Sequence, residues 1–376
     1  MKTRAHLESL PPYIPIEPFE VLSARIGRDP SQIIKLDANE NPYGPLPAVR
    51  EALGKLDFPH IYPDPESRAL RASLAEFTGV PAENLLASAG ADELIDLLMR
   101  IMLEPGDCIL SCPPTFGMYS FDAQLNAAHV IEVPRRADFS VDLGAIRKAV
   151  EIHQPKILFI ATPNNPDGSL LAPNVIDKLL DLPLLVVLDE AYIEFADENL
   201  GADLTRIREV PTRENLVVLR TFSKWAGLAG LRIGYGAFPS WLMPTMWKAK
   251  QPYNVNVAAS MAAQVALAHV DKLAGVVELL RNERDRLLDG LREVPYLEPH
   301  PSSSNFVLCR VVGRDAAQLK TWLSQEHGIF VRYFNKPGLS DHIRISVGRT
   351  EDRDALLAAL NLQTQRPATL DSRLEE

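Results

Sequence analysis

The stretch LPLLVVLDEAYIEF, residues 182–195, decides the fold, because an apolar run inside it has no polar interruption. A half-exposed strand alternates apolar and polar residues, whereas a strand buried on both faces does not. The run 184–188 therefore predicts a parallel strand in a sheet that helices cover on both sides. Asp189 closes the run, and a carboxylate there is costly unless a partner compensates it.

Similar apolar runs lie on both sides of this stretch, at LLASA (85–89), CILSC (108–112), HVIEV (129–133), KILFIA (156–161), LVVLRT (216–221) and RIGYGAF (232–238). Helical patterns such as ADELIDLLMRIML (91–103) separate them. The alternation predicts an α/β fold whose large domain holds a mostly parallel, doubly wound sheet. Beyond a proline-free helical region (255–294), the runs SNFVLCRV (304–311), GIFVRYF (328–334) and DHIRISVG (341–348) predict a smaller α+β domain.

The expected domain organisation follows from these patterns. We expect an N-terminal arm over 1–30, a large domain over 31–254 whose first residues (31–55) join the small domain, a linker helix and small domain over 255–364, and a loose acidic tail over 365–376. The arm is proline-rich and lacks a regular apolar period, so we expect an extended conformation there.

Composition excludes several classes of protein. The 376 residues carry a formal net charge of −10, with no basic stripe for a nucleic-acid backbone. No apolar run reaches the roughly 20 residues that a membrane span needs. The N-terminus lacks the apolar segment of a signal peptide. The sparse cysteines, Cys108, Cys112 and Cys309, are expected to be reduced thiols rather than metal ligands. We therefore expect a cytosolic enzyme without a nucleic-acid, membrane or metal partner.

The stretch LRTFSKWAGLAGLRIGYG, residues 219–236, places Lys224 among small residues after an apolar run. Burial disfavours an ammonium ion, so the pKa of Lys224 should fall and free its amine as a nucleophile. Ser223 and Arg232 could bind a phosphate there. An ordinary surface lysine in a glycine-rich turn is the alternative. The glycines have the wrong spacing for a dinucleotide-binding motif.

Three further strand ends carry polar groups. In SAGADELIDLL (88–98), small residues precede a helix N-terminus, which suits an anion or a plain turn. In TPNNPDG (162–168), Asn164 and Asn165 could donate to a ligand oxygen or cap the turn. Asp189 could keep a heterocyclic nitrogen protonated or cap the following turn, and Tyr192 could donate to an adjacent oxygen. Together these groups match the protein side of a pyridoxal phosphate site.

With these motifs the chain resembles the fold-type I pyridoxal-phosphate-dependent aminotransferases, in their class II group. The matching stretches occur in family order and cover most of the chain: KLDANENPYGP (35–45), YPDPESRALRASLAEFTGV (62–80), GADELIDLL (90–98), CPPTFGMYSF (112–121), TPNNPDG (162–168), VVLDEAYIEF (186–195), TFSKWAGLAGLRIGYG (221–236) and HIRISVG (342–348). Within the family, the resemblance is to members that act on histidinol phosphate. It implies a ping-pong exchange of an amino group with 2-oxoglutarate, giving imidazole-acetol phosphate and glutamate in histidine biosynthesis. A related aromatic aminotransferase or amino-acid-phosphate decarboxylase would share the same constellation.

The resemblance also implies roles for the residues around the cofactor ring. Lys224 would form the Schiff base with pyridoxal 5′-phosphate and carry the catalytic proton. Asp189 would pair with the ring nitrogen, and Tyr192 and Asn164 with the 3-oxygen. Phe116 would stack on the ring, at a position where the family often has tyrosine.

For the cofactor phosphate, the resemblance implies a cluster made of Ala91, Asp92, Ser223 and Arg232. Tyr62 would reach the same phosphate from the other subunit of a homodimer with shared active sites.

The remaining implied residues concern the substrate. Arg344 would bind its anionic group, and Asn39 and Tyr13 would lie beside it. Arg332, twelve residues before Arg344, is a second candidate for that anion, or else a solvated charge at a strand edge. Asp167 departs from the family, which usually has threonine there.

Overall fold

The computed structural model describes residues 3–8, 10–12 and 17–364. The strands of these residues, in chain order, are β1 Ile34–Leu36, β2 Leu85–Ser88, β3 Cys108–Ser111, β4 His129–Glu132, β5 Ile157–Ala161, β6 Leu185–Asp189, β7 Leu216–Thr221, β8 Gly234–Ala237, β9 Leu297–Pro299, β10 Phe306–Val311, β11 Ile329–Tyr333 and β12 His342–Ser346.

The larger sheet has seven strands in the order β2-β8-β7-β6-β5-β3-β4. Strand β8 runs antiparallel to both of its neighbours, β2 and β7. The other pairings are parallel, so the predicted mostly parallel sheet is confirmed. Because parallel strands end at the same edge, the residues that follow β5, β6 and β7 are brought side by side.

Alternate residues of the central strands face two separate hydrophobic cores. In β6, Val186 and Leu188 pack into one core, whereas Leu185 and Val187 pack into the other. These side chains are at most 5% exposed. Burying each such side chain contributes about 1.5–3 kcal/mol, which makes a sheet covered on both faces the stable arrangement for an uninterrupted apolar run.

Helices cover both faces of the sheet. The helices of the described residues, around both sheets together, are α1 Phe19–Ile26, α2 Pro47–Gly54, α3 Arg68–Thr78, α4 Ala91–Met102, α5 Met118–Leu125, α6 Leu143–His153, α7 Pro173–Leu180, α8 Met243–Ala249, α9 Val257–Leu267, α10 Val270–Arg292, α11 Ala316–His327 and α12 Thr350–Thr364. Short 3-10 helices occupy Ala5–Leu7, Pro30–Gln32, Ala82–Asn84, Ile193–Phe195, Ile207–Thr212 and Ala229–Leu231. Helices α4, α5 and α8 form one core with the sheet, and α2, α3, α6, α7, α9 and α10 contribute to the other. The proline-free region 255–294 forms two helices, α9 and α10, rather than one.

The smaller sheet has the order β1-β11-β12-β10-β9. Strand β1 pairs in parallel with β11, so a segment near the start of the chain completes a sheet made of its C-terminal part. The antiparallel register of β11 and β12 places Arg332 directly opposite Arg344. The α+β character predicted for this part is confirmed, while the exact domain boundaries stay predictions.

The N-terminal arm differs from the extended conformation that its composition suggested. Helix α1 lies within it, begins after Pro18, and ends at Gly27, which has a φ of 66°. Leu22 is 2% exposed and packs against Ile33 and Phe330. The helix therefore has a buried apolar contact with the smaller sheet, which the sequence pattern of the arm did not indicate. Tyr13 and the predicted tail over 365–376 lie outside the described residues.

Candidate active site

A cavity of about 800 Å³ lies between the two sheets, at the carboxyl ends of β5, β6 and β7. This edge of a parallel sheet is the usual location of ligand sites. The predicted site residues that line the cavity are Asn39, Ala91, Asp92, Phe116, Asp189, Tyr192, Ser223, Lys224, Arg232, Arg332 and Arg344. Residues from both ends of the described chain thus meet at one site.

Lys224 follows β7, and its Nζ donates to the carbonyl oxygen of Ala38 at 3.2 Å. Burial lowers the pKa of Lys224 to about 8, and the positive charge of Arg344 acts in the same direction. The neutral amine is the nucleophilic form of lysine. The environment therefore makes this amine available close to neutral pH, in the direction that the sequence predicted.

Asp189 is the last residue of β6 and is 6% exposed. The Tyr119 hydroxyl donates to its Oδ2 at 2.6 Å, and the Ala191 N–H donates to its Oδ1 at 3.1 Å. Burial raises the pKa of Asp189 to about 6, although both hydrogen bonds oppose that shift. The carboxylate is held in a fixed orientation and is ionised at neutral pH. Tyr119, on α5, is a site residue that the sequence did not reveal.

Tyr192 and Asn39 form a hydrogen-bonded link between the two sheets. Asn39 Nδ2 donates to the Tyr192 hydroxyl at 3.0 Å, and Asn39 Oδ1 accepts from Ser346 Oγ at 3.0 Å. Burial raises the pKa of Tyr192, so its hydroxyl stays protonated. Since this oxygen already accepts from Asn39, its own proton is available to a neighbouring acceptor.

The N-terminus of α4 forms an anion-binding end of the cavity. Arg232 Nη2 donates to Asp92 at 3.0 Å, and Arg232 Nη1 lies 3.4 Å from Ser223 Oγ. Gly90 has a φ of +95°, and a Cβ added there would lie 2.5 Å from Arg232 Nη2. The positive φ favours glycine at this position, and the absence of a side chain leaves the guanidinium close to the backbone N–H groups of the helix start, which favour a phosphate.

Two arginines from the smaller sheet face the cavity. Arg344 is 5% exposed, and its Nη2 donates to the carbonyl oxygen of Asp37 at 2.7 Å. Its Cζ lies 5.5 Å from the Phe334 ring centroid, and the Cζ of Arg332 lies 5.7 Å from the same centroid. Both arginines line the cavity, so two positive charges face it from neighbouring strands of the smaller sheet.

The structure places Asn165, rather than Asn164, on the cavity. Asn164 is fully buried and does not line it, because its Nδ2 donates to Asp167 and to the Pro114 carbonyl oxygen and its Oδ1 accepts from Thr115. Asn165 lines the cavity, and its Oδ1 accepts from Arg344 Nη1 at 2.5 Å. The structure therefore does not place Asn164 at the cavity as predicted, because adjacent residues of this turn point in different directions.

Two other predicted residues have different positions relative to the cavity. Phe116 lines it and packs edge-on against Tyr119, with ring centroids 5.6 Å apart. Tyr62 does not line the cavity of its own chain. Its side chain is 79% exposed and stacks on Tyr253 at 4.6 Å. A contribution of Tyr62 to a site therefore requires a second subunit.

These groups fit pyridoxal 5′-phosphate. The glycine at position 90 leaves space for a phosphate beside Arg232, and Phe116 offers an aromatic face for a ring. A buried carboxylate, Asp189, suits a protonated ring nitrogen, and the amine of Lys224 suits covalent attachment. Within the described ranges, no group of three or more His, Cys, Asp or Glu side chains could hold a metal ion. No helix of those ranges is long and apolar enough to cross a membrane.

Comparison with known proteins supports this assignment. Residues 31–360 match the family model "Aminotransferase class I and II". The chloroplastic histidinol-phosphate aminotransferase of Nicotiana tabacum is 56% identical over 95% of this chain and 85% of its own length. Chloroplastic histidinol-phosphate aminotransferase 1 of Arabidopsis thaliana is 53% identical over 95% and 84%. The histidinol-phosphate aminotransferase structure from Sinorhizobium meliloti, in complex with pyridoxal-5′-phosphate, has a TM-score of 0.86 and 30% identity, covering 96% of each chain.

The same relatives correct the expected cytosolic location. Both plant enzymes are chloroplastic. The expectation rested on the acidic composition and the few cysteines, which do not distinguish one reducing compartment from another.

The predicted fold and cofactor are confirmed by these matches. The larger mixed sheet and the smaller five-stranded sheet are those of a fold-type I enzyme, and the family depends on pyridoxal 5′-phosphate. The chain belongs to the class I and II aminotransferases, and within them to the histidinol-phosphate aminotransferase family.

Proposed function

We propose that the protein exchanges an amino group between L-histidinol phosphate and 2-oxoglutarate, giving imidazole-acetol phosphate and L-glutamate in histidine biosynthesis. The observation that carries this proposal is the cross-strand pair of Arg332 and Arg344 at the cavity that contains Lys224. A phosphate monoester has about two negative charges and three acceptor oxygens, so it suits two guanidinium partners.

Pyridoxal 5′-phosphate supplies an electron sink for the bond that breaks at the substrate α-carbon. Asp189 holds the ring nitrogen protonated, and Tyr119 and the Ala191 N–H keep this carboxylate in place. Lys224 binds the cofactor covalently between turnovers. During turnover its free amine moves the proton between the substrate α-carbon and the cofactor C4′.

The other residues at the cavity would hold the rest of the cofactor. The Tyr192 hydroxyl would donate to the 3-oxygen of the ring, and Asn165 would take the role first given to Asn164. The residues at the start of α4, Ala91 and Asp92, would hold the cofactor phosphate together with Ser223 and Arg232. Phe116 stacks on the ring without a hydrogen bond, because it lacks a hydroxyl.

Two substrates use this pocket in turn, in a ping-pong scheme. Glutamate presents an α-carboxylate to Arg344, and histidinol phosphate presents its phosphate to both Arg344 and Arg332. Asn39 holds Tyr192 in position beside them and lies next to the substrate. Tyr13 remains a predicted substrate contact.

If Arg332 binds the substrate phosphate, Arg332→Ala should impair the reaction with histidinol phosphate more than the reaction with glutamate. A charge-assisted contact is worth roughly 1.5–3 kcal/mol, so loss of Arg332 should lower kcat/KM for histidinol phosphate about ten- to hundredfold. The value for glutamate should change far less, whereas Arg344→Ala should damage both half-reactions. Each half-reaction is measured separately by cofactor absorbance.

The wild-type enzyme assayed with phenylalanine is the control for substrate identity. Faster reaction with phenylalanine than with histidinol phosphate would favour an aromatic aminotransferase, and carbon dioxide release would favour a decarboxylase. Equal losses for both substrates in Arg332→Ala would exclude Arg332 as a phosphate contact.

The second element of the proposal is a homodimer with shared active sites. Phe58, Ile61, Tyr62 and Tyr253 are between 43% and 79% exposed, and they form an apolar surface that a second subunit would cover. Tyr62 of one subunit then reaches the cofactor phosphate of the other. This role requires a tyrosine whose hydroxyl is free to bind a group of the other subunit. The Tyr62 hydroxyl has no hydrogen bond to a described residue of its own chain.

Mixed subunits provide the measurement. Tyr62→Phe should lower activity about tenfold, the effect expected for one lost hydrogen bond to a charged group. A hybrid with a Lys224→Ala subunit contains one site with both native residues. Its activity per intact Lys224 should exceed that of the Tyr62→Phe homodimer several-fold. No gain in proven hybrids would show that each site is built from one subunit.

A further inference from the structure

Arg135 lies just after β4, lines the cavity itself and joins loops that border it. It is 7% exposed. Its Nε donates to the Cys112 carbonyl oxygen at 3.3 Å, and its Nη1 contacts the Phe139 carbonyl oxygen at 3.0 Å and Ser169 Oγ at 3.4 Å. Its backbone N–H donates to Pro113 at 2.7 Å. One buried guanidinium thus contacts segments that are distant in the sequence.

Ser169 also contacts a buried carboxylate, that of Asp167. Asp167 is 1% exposed. Its Oδ1 accepts from Asn164 Nδ2, and its Oδ2 accepts from the Ser169 N–H at 2.9 Å. No cation of the described residues forms an ion pair with it. Neutral donors alone leave most of a buried charge uncompensated.

Arg135 is linked to Asp167 through Ser169, whose Oγ contacts Arg135 Nη1 and whose N–H donates to Asp167 Oδ2. Burial lowers the pKa of Arg135, and Asp167 is the foremost charge that opposes this shift. Arg135 Nη2 is buried and has no hydrogen bond to any residue described in the structure. The charge of Asp167 also acts to raise the pKa of His300. Burial has the larger effect and lowers that pKa, so His300 is neutral at pH 7. The two buried charges therefore depend on each other across the loop.

The loop that contains Asp167 also contacts the substrate arginine. Asn164 is held by Asp167, Thr115 and the Pro114 carbonyl oxygen. The next residue, Asn165, accepts from Arg344 Nη1. A displacement of this loop would therefore change the direction of the Arg344 guanidinium.

We propose that Arg135 is a positioning residue: its charge balances Asp167 and thereby holds the Asn164–Ser169 loop, and through Asn165 the guanidinium of Arg344, in the geometry that binds the substrate anion. The proposal rests on the proposed role of Arg344 in anion binding.

A double-mutant cycle tests the pairing. Arg135→Gln should raise the KM for glutamate and the Kd for glutarate, an unreactive dicarboxylate, about tenfold, with kcat and the cofactor absorbance little changed. Asp167→Thr should raise both constants several-fold, because it leaves Arg135 buried without a counter-charge. The double variant should return both constants to within about threefold of wild type. If the increases in KM and Kd caused by the two single substitutions multiply in the double variant, the proposal is overturned. An unchanged Kd for glutarate in Arg135→Gln would overturn it as well.

Arg135→Lys is a second variant in case Arg135→Gln does not fold. Lysine keeps the charge but loses the forked contacts. Its Kd for glutarate should stay within a few-fold of wild type, and adding Asp167→Thr should then worsen binding instead of rescuing it. Rescue in that background would contradict the charge balance. Because glutarate and glutamate are the probes, the outcome does not depend on histidinol phosphate. A protein that reacts with glutamate but not with histidinol phosphate would refute the proposed function alone.

Discussion

Lys224→Ala is expected to abolish transamination, with a loss of about 10⁴-fold or more. A positioned acid–base group contributes about 10²–10⁴-fold, and this residue also supplies the covalent attachment of the cofactor. Borohydride reduction of the wild-type holoenzyme, followed by peptide mapping, should place a pyridoxyl group on Lys224 and on no other lysine. When the apoenzyme is mixed with pyridoxal 5′-phosphate, the rate of attachment should rise with pH through about 8, because burial lowers the pKa of this amine to about 8 and only its neutral form attacks an aldehyde.

Lys248→Ala provides the matched control. Lys248 lies on α8, is exposed, and does not line the cavity. This variant should keep wild-type labelling and turnover. A pyridoxyl group found on Lys248 or Lys250 would refute the assignment of Lys224, whatever the activity of the variants.

The positions of Lys224 and Asp189 were accessible from the sequence for a physical reason. Each follows an apolar run that only a doubly covered sheet can bury, so each had to lie at the edge where parallel strands end. The sheet itself followed from the same runs. The direction of the pKa shift of Lys224 could also be predicted, because burial of an ammonium ion always lowers its pKa.

Other parts of the site could not be predicted from local patterns. Tyr119 contacts Asp189 only because α5 packs against the sheet, and a phenol on a helix has no pattern that distinguishes it from a core residue. The choice between Asn164 and Asn165 depends on the backbone angles of one turn. The pairing of Arg135 with Asp167 depends on how two loops approach each other, which no spacing in the chain indicates.

Asp189→Asn is expected to keep the fold and lower transamination about a hundred- to a thousandfold, the range produced by removing one preorganised electrostatic partner at a reacting centre. A neutral amide has the shape of the carboxylate but cannot hold a ring nitrogen protonated. The Asp189 carboxylate accepts hydrogen bonds from the Tyr119 hydroxyl and from the Ala191 N–H. The NH₂ group of asparagine cannot accept, so one of these two hydrogen bonds would be lost. We therefore expect weaker cofactor binding as well, measured by dialysis and absorbance.

The matched control for this substitution is another buried carboxyl group. Asp122, on α5, is 4% exposed, and burial raises its pKa to about 7, yet it does not line the cavity. Asp122→Asn should therefore leave cofactor affinity and turnover close to wild type, because that carboxyl does not reach the cavity and touches no reacting atom. Similar losses in both variants would mean that any buried carboxyl of this core is needed for structure. Near-normal turnover in Asp189→Asn would instead show that the ring nitrogen does not need its charged partner, and the electron-sink role of this site would have to be assigned to other groups.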